Sequence, residues 1–165
     1  MTELKAPLAA YRDTVRPEWI DHNGHMNMGY YMVVFDYATD EFFDHCGLTR
    51  AHRAAQNITT FSLEAHINYL NEVREGDPLH FRTYLLDFDE KRIHYIHEMW
   101  HGTENYRAAT NELMSLHVSQ ETRRAAPMHQ DILDRLGAIR SAQTAAGVEF
   151  PSEAGRSIGL KNRRR

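Results

Sequence analysis

The sequence predicts a two-layer α+β domain, in which one long helix covers one face of an antiparallel sheet of about five strands. Apolar residues recur at helical spacing from Tyr31 to Cys46 and form a single stripe. Four later runs have the apolar and polar alternation of strands, and short links join them. The chain has 165 residues, 42% of them hydrophobic, so it can bury one sizeable core.

The first predicted elements are a short strand and the long helix. The weakly patterned stretch from Leu8 to Val15 indicates a strand that ends before Pro17. A helix of about 19 residues follows, with Asn27 as its N-cap and Gly47 as the residue after its last turn. This is the best-defined helix that the sequence predicts.

Four strands and a short amphipathic helix make up the rest of the predicted domain. Short links between consecutive strands imply antiparallel pairing. One helix cannot cover both faces and both edges of such a sheet, so we expect a second subunit. We expect one domain over residues 1–142 and a loose, arginine-rich tail over residues 143–165. The predicted strands span residues 61–69, 79–88, 93–101 and 106–118, and the helix is centred on residues 132–139.

Composition argues against several classes of protein. No apolar run approaches the roughly 18 residues of a membrane-spanning helix. A formal net charge of −4 argues against a general nucleic-acid binder. The first residues show no secretory signal, and the single cysteine, Cys46, excludes an internal disulfide. We therefore expect a cytoplasmic protein without a nucleic-acid or membrane partner.

The residues that carry chemistry cluster just before the long helix. From Asp21 to Asn27 the chain holds a carboxylate, two imidazoles and two carboxamides. The first N–H groups of a helix are unpaired and carry about half a positive charge, so they can stabilise an oxyanion during acyl transfer. Asp21 could activate water as a general base or attack the carbonyl itself. In the alternative, structural interpretation these residues form only a turn and a helix cap.

The pattern D-x-N-x-H-x-N at residues 21–27, followed by a long aromatic helix, resembles the active-site segment of hotdog-fold acyl thioesterases. The resemblance extends through residues 62–70, the turn at residues 75–78 and residues 116–118. It identifies the chain as a member of the 4-hydroxybenzoyl-CoA thioesterase-like superfamily, most similar to the betainyl-CoA thioesterases of bacterial carnitine breakdown. The implied fold is a hotdog fold, in which a curved sheet wraps a central helix and two subunits pair edge to edge.

The resemblance also implies an activity and a partner set. The expected reaction is hydrolysis of an acyl-CoA thioester to the free acid and CoA. The acyl group would be short or polar, such as betainyl. In this superfamily the active sites lie at the subunit interface and use neither a metal nor a cofactor, so we expect a homodimer or a homotetramer.

Site residues carry over where the motif matches. Asp21 matches the catalytic carboxylate, and whether it is nucleophile or general base stays open. Asn23 and His25 match the polar pair of the plant acyl-carrier-protein thioesterases, and Glu72 matches a carboxylate of the same enzymes. Arginine forms forked bonds to phosphate, which suggests two CoA-phosphate ligands near residue 120. Beside the four catalytic candidates, the expected acyl-group contacts are Trp19, Asn27, Met28, Gly29, Tyr30, Glu64, His66 and Trp100, and the expected phosphate ligands are Arg123 and Arg124.

The aromatic members of this set suggest a substrate class. Rings of Trp19, Tyr30 and Trp100, together with the neighbouring Tyr31, would favour a quaternary ammonium by cation–π attraction if they surrounded the acyl group.

Two alternative functions stay open from the sequence. A hotdog-fold dehydratase or hydratase would use a histidine with an acid near the helix, whereas a non-catalytic acyl-CoA binding module would need no catalytic residue. As a separate feature, His94, His97 and His101 would share one face of a helix, a spacing that can bind zinc. Their neighbours favour a strand, in which only His97 and His101 share a face, so we expect no metal site.

Overall fold

A computed structural model describes residues 6–9 and 11–159 of the chain. The five strands form one antiparallel sheet with the order first, third, fourth, fifth and second, and the sheet curls around the long helix. This is the hotdog fold that the sequence predicts. Within the described residues no helix is long and apolar enough to cross a membrane. The strands are β1 (Arg12–Thr14), β2 (Ile58–Tyr69), β3 (Pro78–Phe88), β4 (Arg92–His101) and β5 (Arg107–Ser119); the helices are α1 (Met28–His45), α2 (Arg50–Gln56) and α3 (Gln130–Ala145), and Pro17–Trp19 forms a 3-10 turn.

Helix α1 packs into the concave face of the sheet, as its apolar stripe predicts. Its first residue is set by Asn27, whose side chain accepts a hydrogen bond from the Gly29 N–H at 2.9 Å. Its stripe buries Phe35 edge-to-face against Phe81 of β3, with ring centroids 5.7 Å apart. Gly47 follows the helix with φ +89°, a left-handed conformation that glycine adopts without strain. The predicted cap and stop signals are both confirmed.

Helix α2 is an element that the sequence analysis missed. It runs for 7 residues, and the Thr49 side chain caps it by accepting a hydrogen bond from the His52 N–H. None of its residues is buried. A helix without a buried face has no apolar periodicity, so only its N-cap could have indicated it.

A buried histidine lies between α1 and the sheet. His97 is 0% exposed, with Nε2 3.0 Å from Thr39 Oγ1 and Nδ1 2.8 Å from Thr83 Oγ1. The Thr39 hydroxyl already donates to the Phe35 carbonyl, so it accepts from His97, and the proton is on Nε2. Burial lowers the pKa of His97 to about 3, which keeps the ring neutral.

Helix α3 extends beyond the point where the sequence predicts a loose tail. Its residue Gln143 is buried, and its amide pairs with the backbone of Leu85 in β3. Oε1 accepts from the Leu85 N–H at 2.9 Å, and Nε2 donates to the Leu85 carbonyl at 2.8 Å. Strand β1 pairs with residues 78–80 of β3, and an isolated bridge from Leu8 to Thr83 extends this pairing, so Leu85 lies beyond it. The Gln143 side chain therefore takes the place of a neighbouring strand at this edge.

Residues 148–158, the C-terminal strap, contact the convex face of the sheet. The Arg107 guanidinium donates to Glu98 and to Glu153 of the strap, both at 2.7 Å. The Gly155 N–H donates to the Glu112 carboxylate at 2.8 Å. The tail expected over residues 143–165 thus has defined contacts in its described part, because its acidic side chain pairs with a sheet arginine. The arginine-rich end, residues 160–165, lies outside the described residues.

We predict that Gln143→Ala lowers the free energy of unfolding by about 2–4 kcal/mol, because two buried backbone groups of Leu85 lose their partner. Urea unfolding measures this loss. Gln130→Ala is the matched control, since Gln130 is exposed at the start of the same helix and bonds only Asp134. A change below about 0.5 kcal/mol in Gln143→Ala would contradict the edge-closing role.

We predict that His97 makes the protein less stable as the pH falls below about 6.5, the pKa of an unfolded histidine. The folded chain excludes a proton that the unfolded chain binds, because burial lowers the pKa of His97 to about 3. The contribution is complete above pH 6.5, and it decreases by up to about 1.4 kcal/mol per pH unit below that value.

The measurement is urea unfolding of wild type and His97→Gln between pH 7 and pH 4.5. The variant should have the shallower pH dependence, and His22→Gln, in an exposed loop, should follow wild type. Parallel curves for wild type and His97→Gln would show that His97 takes up no proton on unfolding.

Candidate active site

The site is built on a tight loop, residues 19–27, that leads into α1. The Asn27 N–H donates to the Trp19 carbonyl at 2.9 Å, so the two ends of the loop are paired. Within it, the Asp21 N–H donates to the His25 carbonyl, and the Gly24 N–H donates to the Asp21 carbonyl, both at 3.0 Å. Gly24 has φ +78°, which a residue with a side chain would adopt only with strain. The loop is thus held by its own backbone and carries Asp21 at its start.

One carboxylate oxygen of Asp21 accepts a hydrogen bond from the protein, and the other has no donor among the described residues. Its Oδ1 accepts from the Asn23 N–H at 2.8 Å, an Asx turn. Within the described residues Oδ2 has no hydrogen-bond donor, and the side chain is half-buried. Asn23 therefore contributes to the site through its backbone, and its exposed carboxamide forms no hydrogen bond inside the described part of the chain. The arrangement orients Asp21 and leaves one oxygen able to bind a water molecule.

The start of α1 supplies a hydrogen-bond donor next to this loop. Asn27 Oδ1 accepts a hydrogen bond from the Gly29 N–H, and the Asn27 carbonyl accepts one from the Tyr30 N–H at 3.0 Å. No acceptor in the described residues binds the Met28 N–H. Among the first-turn amides that the sequence suggested as a group, the Met28 N–H is thus able to bind a carbonyl oxygen. A side chain at position 29 would crowd the cap, since its Cβ would lie 3.3 Å from Asn27 Oδ1.

His25 pairs with Glu72, which the resemblance placed in the site on a loose match. His25 Nε2 lies 2.6 Å from Glu72 Oε2. The backbone around this pair is fixed on both sides: the Met26 N–H donates to the Val73 carbonyl, and Tyr106 donates to the Glu72 carbonyl, both at 2.9 Å. The fold therefore brings together Asp21, His25 and Glu72 in one region, although 47 residues separate the last two.

The expected aromatic cage does not form within one subunit. Trp19 and Tyr30 stack with ring centroids 6.0 Å apart, but Trp19 is only 3% exposed and the Arg16 guanidinium lies 4.7 Å from its ring. Trp100 donates to Glu98 at 3.0 Å and stacks on His80, which places it on the convex face. Residues alternate faces along β4, so Trp100 lies on the side of the sheet away from α1.

Glu64 and His66 also lie on the convex face. They line a cleft of about 600 Å³ between β2, β5 and the C-terminal strap, with Glu112 among its other residues. A bulge between Ser62 and Glu64 sets which side chains of β2 face outward. Within one subunit, Glu64 and His66 are therefore separated from Asp21 by the sheet.

Arg123 and Arg124 lie at the far end of the sheet from the loop that carries Asp21. They follow the end of β5, and the Arg123 guanidinium lies 5.2 Å from the ring of Phe61 near the start of β2. Tyr69, at the other end of β2, donates to the Met28 carbonyl at 3.1 Å. Strand β2 has 12 residues, and a strand of that length spans about 36 Å. One subunit alone does not bring Asp21 and these arginines together.

Other polar residues near the site were not predicted. A cleft of about 680 Å³ beside Glu72 is lined mainly by polar residues, including Asn71, Arg74, Asp77 and His101. His101 accepts a backbone N–H through Nδ1 at 3.1 Å, and its Nε2 lies 3.4 Å from Asp77, so its role is structural. In the part of the chain that the structure describes, no three histidine, cysteine or acidic side chains are arranged to hold a metal ion.

The concave face holds a further residue that the sequence analysis missed. Asn111 of β5 is fully buried, and its Oδ1 has no hydrogen-bond partner among the described residues. It occupies an inward position between Ala109 and Leu113, where the strand pattern calls for an apolar residue. That break in the alternation is the signal that could have identified it.

The chain resembles characterised proteins over nearly its whole length. Residues 15–136 match the model of the thioesterase-like superfamily. The chain is 41% identical over 153 residues to a Pseudomonas aeruginosa protein named betainyl-CoA thioesterase, a match that covers 93% of this chain and 95% of that protein. It is 33% identical to a Ruegeria pomeroyi protein named L-carnitine dehydrogenase/betainyl-CoA thioesterase, over 94% of this chain and 31% of that longer protein.

A solved structure agrees with these relatives. A Staphylococcus aureus protein, determined in complex with CoA, is 30% identical and superposes with a TM-score of 0.84. That match covers 91% of this chain and 93% of the other. Sequence and backbone therefore confirm the resemblance that the pattern at residues 21–27 suggested. The chain belongs to the thioesterase-like superfamily.

Proposed function

We propose that the protein is an acyl-CoA thioesterase that hydrolyses betainyl-CoA to betaine and CoA. The proposal rests on two groups at the start of α1: the Asp21 carboxylate, which has one unpartnered oxygen, and the Met28 N–H, which has no acceptor among the described residues. The loop that carries Asp21 is closed by the Asn27 N–H, directly before Met28. The substrate is supported by the names of the Pseudomonas aeruginosa and Ruegeria pomeroyi relatives. The CoA moiety is supported by the complex of the Staphylococcus aureus protein.

The proposed reaction uses one carboxylate and one backbone donor. Asp21 Oδ2 takes a proton from water as the water oxygen attacks the thioester carbonyl carbon. The carbonyl oxygen becomes an oxyanion, which the Met28 N–H and the α1 dipole stabilise. The C–S bond then breaks, and the sulfur leaves with the electron pair. A thiol with a pKa of about 8.5 leaves without much help from an acid, so the proton on Asp21 suffices to neutralise the thiolate.

The pair formed by His25 and Glu72 positions the Asp21 loop in this proposal. The 2.6 Å contact joins the loop to the segment after β2. The His25 carbonyl accepts the Asp21 N–H, so movement of His25 would move Asp21. His25 and Glu72 are therefore positioning residues, and Asp21 is the group that contacts the reacting atoms.

We also propose that the enzyme acts as a homodimer joined along β2. Strand β2 is the last strand of the sheet and exposes Phe61, Leu63 and Tyr69. A long edge strand with exposed apolar residues is a template for pairing with another strand. The opposite edge is closed by β1 and by Gln143 of α3, which leaves β2 as the edge for a second subunit.

Antiparallel pairing of two β2 strands would complete the site. It would place the start of one β2, next to Arg123 and Arg124, beside the Tyr69 end of its partner. That end adjoins the start of α1, because Tyr69 bonds the Met28 carbonyl. We propose that the two arginines bind CoA phosphates in the site of the other subunit. The expected compartment is the cytoplasm, where reducing conditions keep CoA and Cys46 as free thiols.

We predict that Asp21→Asn lowers kcat/KM for betainyl-CoA by about 10²–10⁴-fold, because the amide cannot accept a proton from water. The assay is thiol release from a panel of acyl-CoA thioesters, from acetyl to palmitoyl, with betainyl and aromatic members. Betainyl-CoA should be the best substrate of the panel.

The matched control is His22→Ala, an exposed neighbour in the same loop, which should retain wild-type activity. Near-normal turnover in folded Asp21→Asn would refute the role of Asp21. Addition of water to an α,β-unsaturated acyl-CoA without thiol release would instead support the dehydratase or hydratase alternative.

We predict that two inactive variants restore activity when they are mixed. One carries Asp21→Asn, and the other carries Arg123→Glu with Arg124→Glu. After subunit exchange, about half of the dimers are mixed and each has one intact site, so about a quarter of the wild-type activity should return.

The control places all three substitutions in one chain and mixes it with wild type. A shared site predicts about a quarter of the wild-type activity, whereas a site within one subunit predicts about half. The shared site would be overturned if the activity of the first mixture did not exceed the summed activities of its two component variants.

A further inference from the structure

The buried amide of Asn111 is incompletely satisfied. The residue is 0% exposed, and its Oδ1 has no partner among the described residues. Its Nδ2 lies 3.8 Å from the Met32 sulfur, which is a weak acceptor. An unpartnered buried carbonyl is costly, so an apolar residue would serve a purely structural position better. The energetic cost suggests that the oxygen has a ligand in another state of the protein.

Asn111 lies beside a groove between α1 and β2. Met32 on α1 is 39% exposed and Tyr69 on β2 is 47% exposed, although both lie on the concave side of the sheet. Ala65, which also faces this side of β2, is exposed. Strand β5 forms the floor, where Asn111 is paired with Ile67 and Ala109 with Tyr69. The groove begins at the first turn of α1, because Tyr69 bonds the Met28 carbonyl.

Along this groove, one turn of α1 has nearly the same length as two residues of β5. Four residues of α1 advance about 6 Å, and two residues of a strand advance about 6.6 Å. Met28 therefore lies level with Tyr69 and Ala109, and Met32 lies level with Asn111. The observed contact between Met32 and Asn111 agrees with this register. Asn111 is thus one helical turn from the Met28 N–H.

We propose that Asn111 Oδ1 and the Tyr69 ring bind the trimethylammonium group of the acyl chain, which displaces the Met32 side chain from the amide. The inference rests on the proposed thioesterase function and adds the residues that determine its substrate. The positive charge of a trimethylammonium is spread over its methyl groups, which interact with amide oxygens and aromatic faces. Methionine has flexible torsions, so Met32 can leave the amide at small cost.

The reach of the substrate fits this position. In a betainyl group the nitrogen lies two bonds from the carbonyl carbon, at about 2.5 Å, as in a backbone N–Cα–C unit. Methyl contacts at about 3.5–4.0 Å extend that reach to roughly one helical turn. Asp36, the acidic residue one turn further along α1, is about 12 Å from Met28 along the helix axis. Contact distance therefore favours Asn111 over Asp36, the nearest carboxylate on the helix, as the group that binds the trimethylammonium.

The test compares betainyl-CoA with 3,3-dimethylbutanoyl-CoA, its neutral isostere, in which carbon replaces the ammonium nitrogen. We expect Asn111→Leu to lower the ratio of kcat/KM for betainyl-CoA to kcat/KM for the neutral isostere by about tenfold. The kcat/KM for the neutral substrate should change little, because leucine keeps the branched shape of asparagine and removes only its polar atoms. The urea midpoint should stay at or above that of wild type, since an unsatisfied buried amide is removed.

Tyr69→Leu should lower the same ratio, and Tyr69→Phe should retain it, because phenylalanine keeps the ring. Because Tyr69 is exposed, the comparison of its two variants provides the test even if Asn111→Leu unfolds. The control for the strand is Thr110→Val, which removes a buried polar group on the opposite face and should keep the ratio. An unchanged ratio in both leucine variants would overturn the inference. If wild type released thiol from neither thioester, the proposed function itself would fail.

Discussion

The pairing of the Asn27 N–H with the Trp19 carbonyl is the constraint on which the site depends. It closes the loop before α1, so the loop that carries Asp21 is held at the start of the helix. The same residue, Asn27, caps the helix with its side chain and takes the Gly29 N–H. Within the described residues the Met28 N–H then has no acceptor and can bind a substrate oxygen. One local arrangement thus serves helix initiation and the proposed chemistry together.

One edge of the sheet is covered by a side chain and the other is exposed, and this difference bears on how subunits associate. At β3 a buried glutamine replaces the missing strand, with both amide atoms bonded to Leu85. At β2 the apolar side chains of Phe61 and Leu63 stay exposed. A protein that closes one edge and leaves the other open directs association to the open edge. In the proposed dimer this edge also joins Asp21 of one subunit to the arginines of the other.

Polar residues inside the concave face follow two distinct patterns. His97 is satisfied on both ring nitrogens by Thr39 and Thr83, so it is part of the packed core. Asn111, which is paired directly with His97 across β4 and β5, keeps an unpartnered oxygen. Both are inward residues on strands, and both break an apolar alternation. Their hydrogen bonds, and not their sequence positions, separate a structural residue from a candidate ligand-binding one.

The sequence by itself determined the two-layer α+β class and the limits of α1, because periodicity and the Asn27 cap are short-range signals. The pattern at residues 21–27 added the resemblance to a family, and that resemblance implied the hotdog fold. Only the tertiary structure decided which predicted residues meet. It brought Glu72 to His25, placed Trp100 against Glu98 on the face away from α1, and bound the strap to the sheet through Arg107. The physical reason is that strand register, the bulge in β2 and side-chain pairing across long separations set these contacts. None of them leaves a local pattern in the chain.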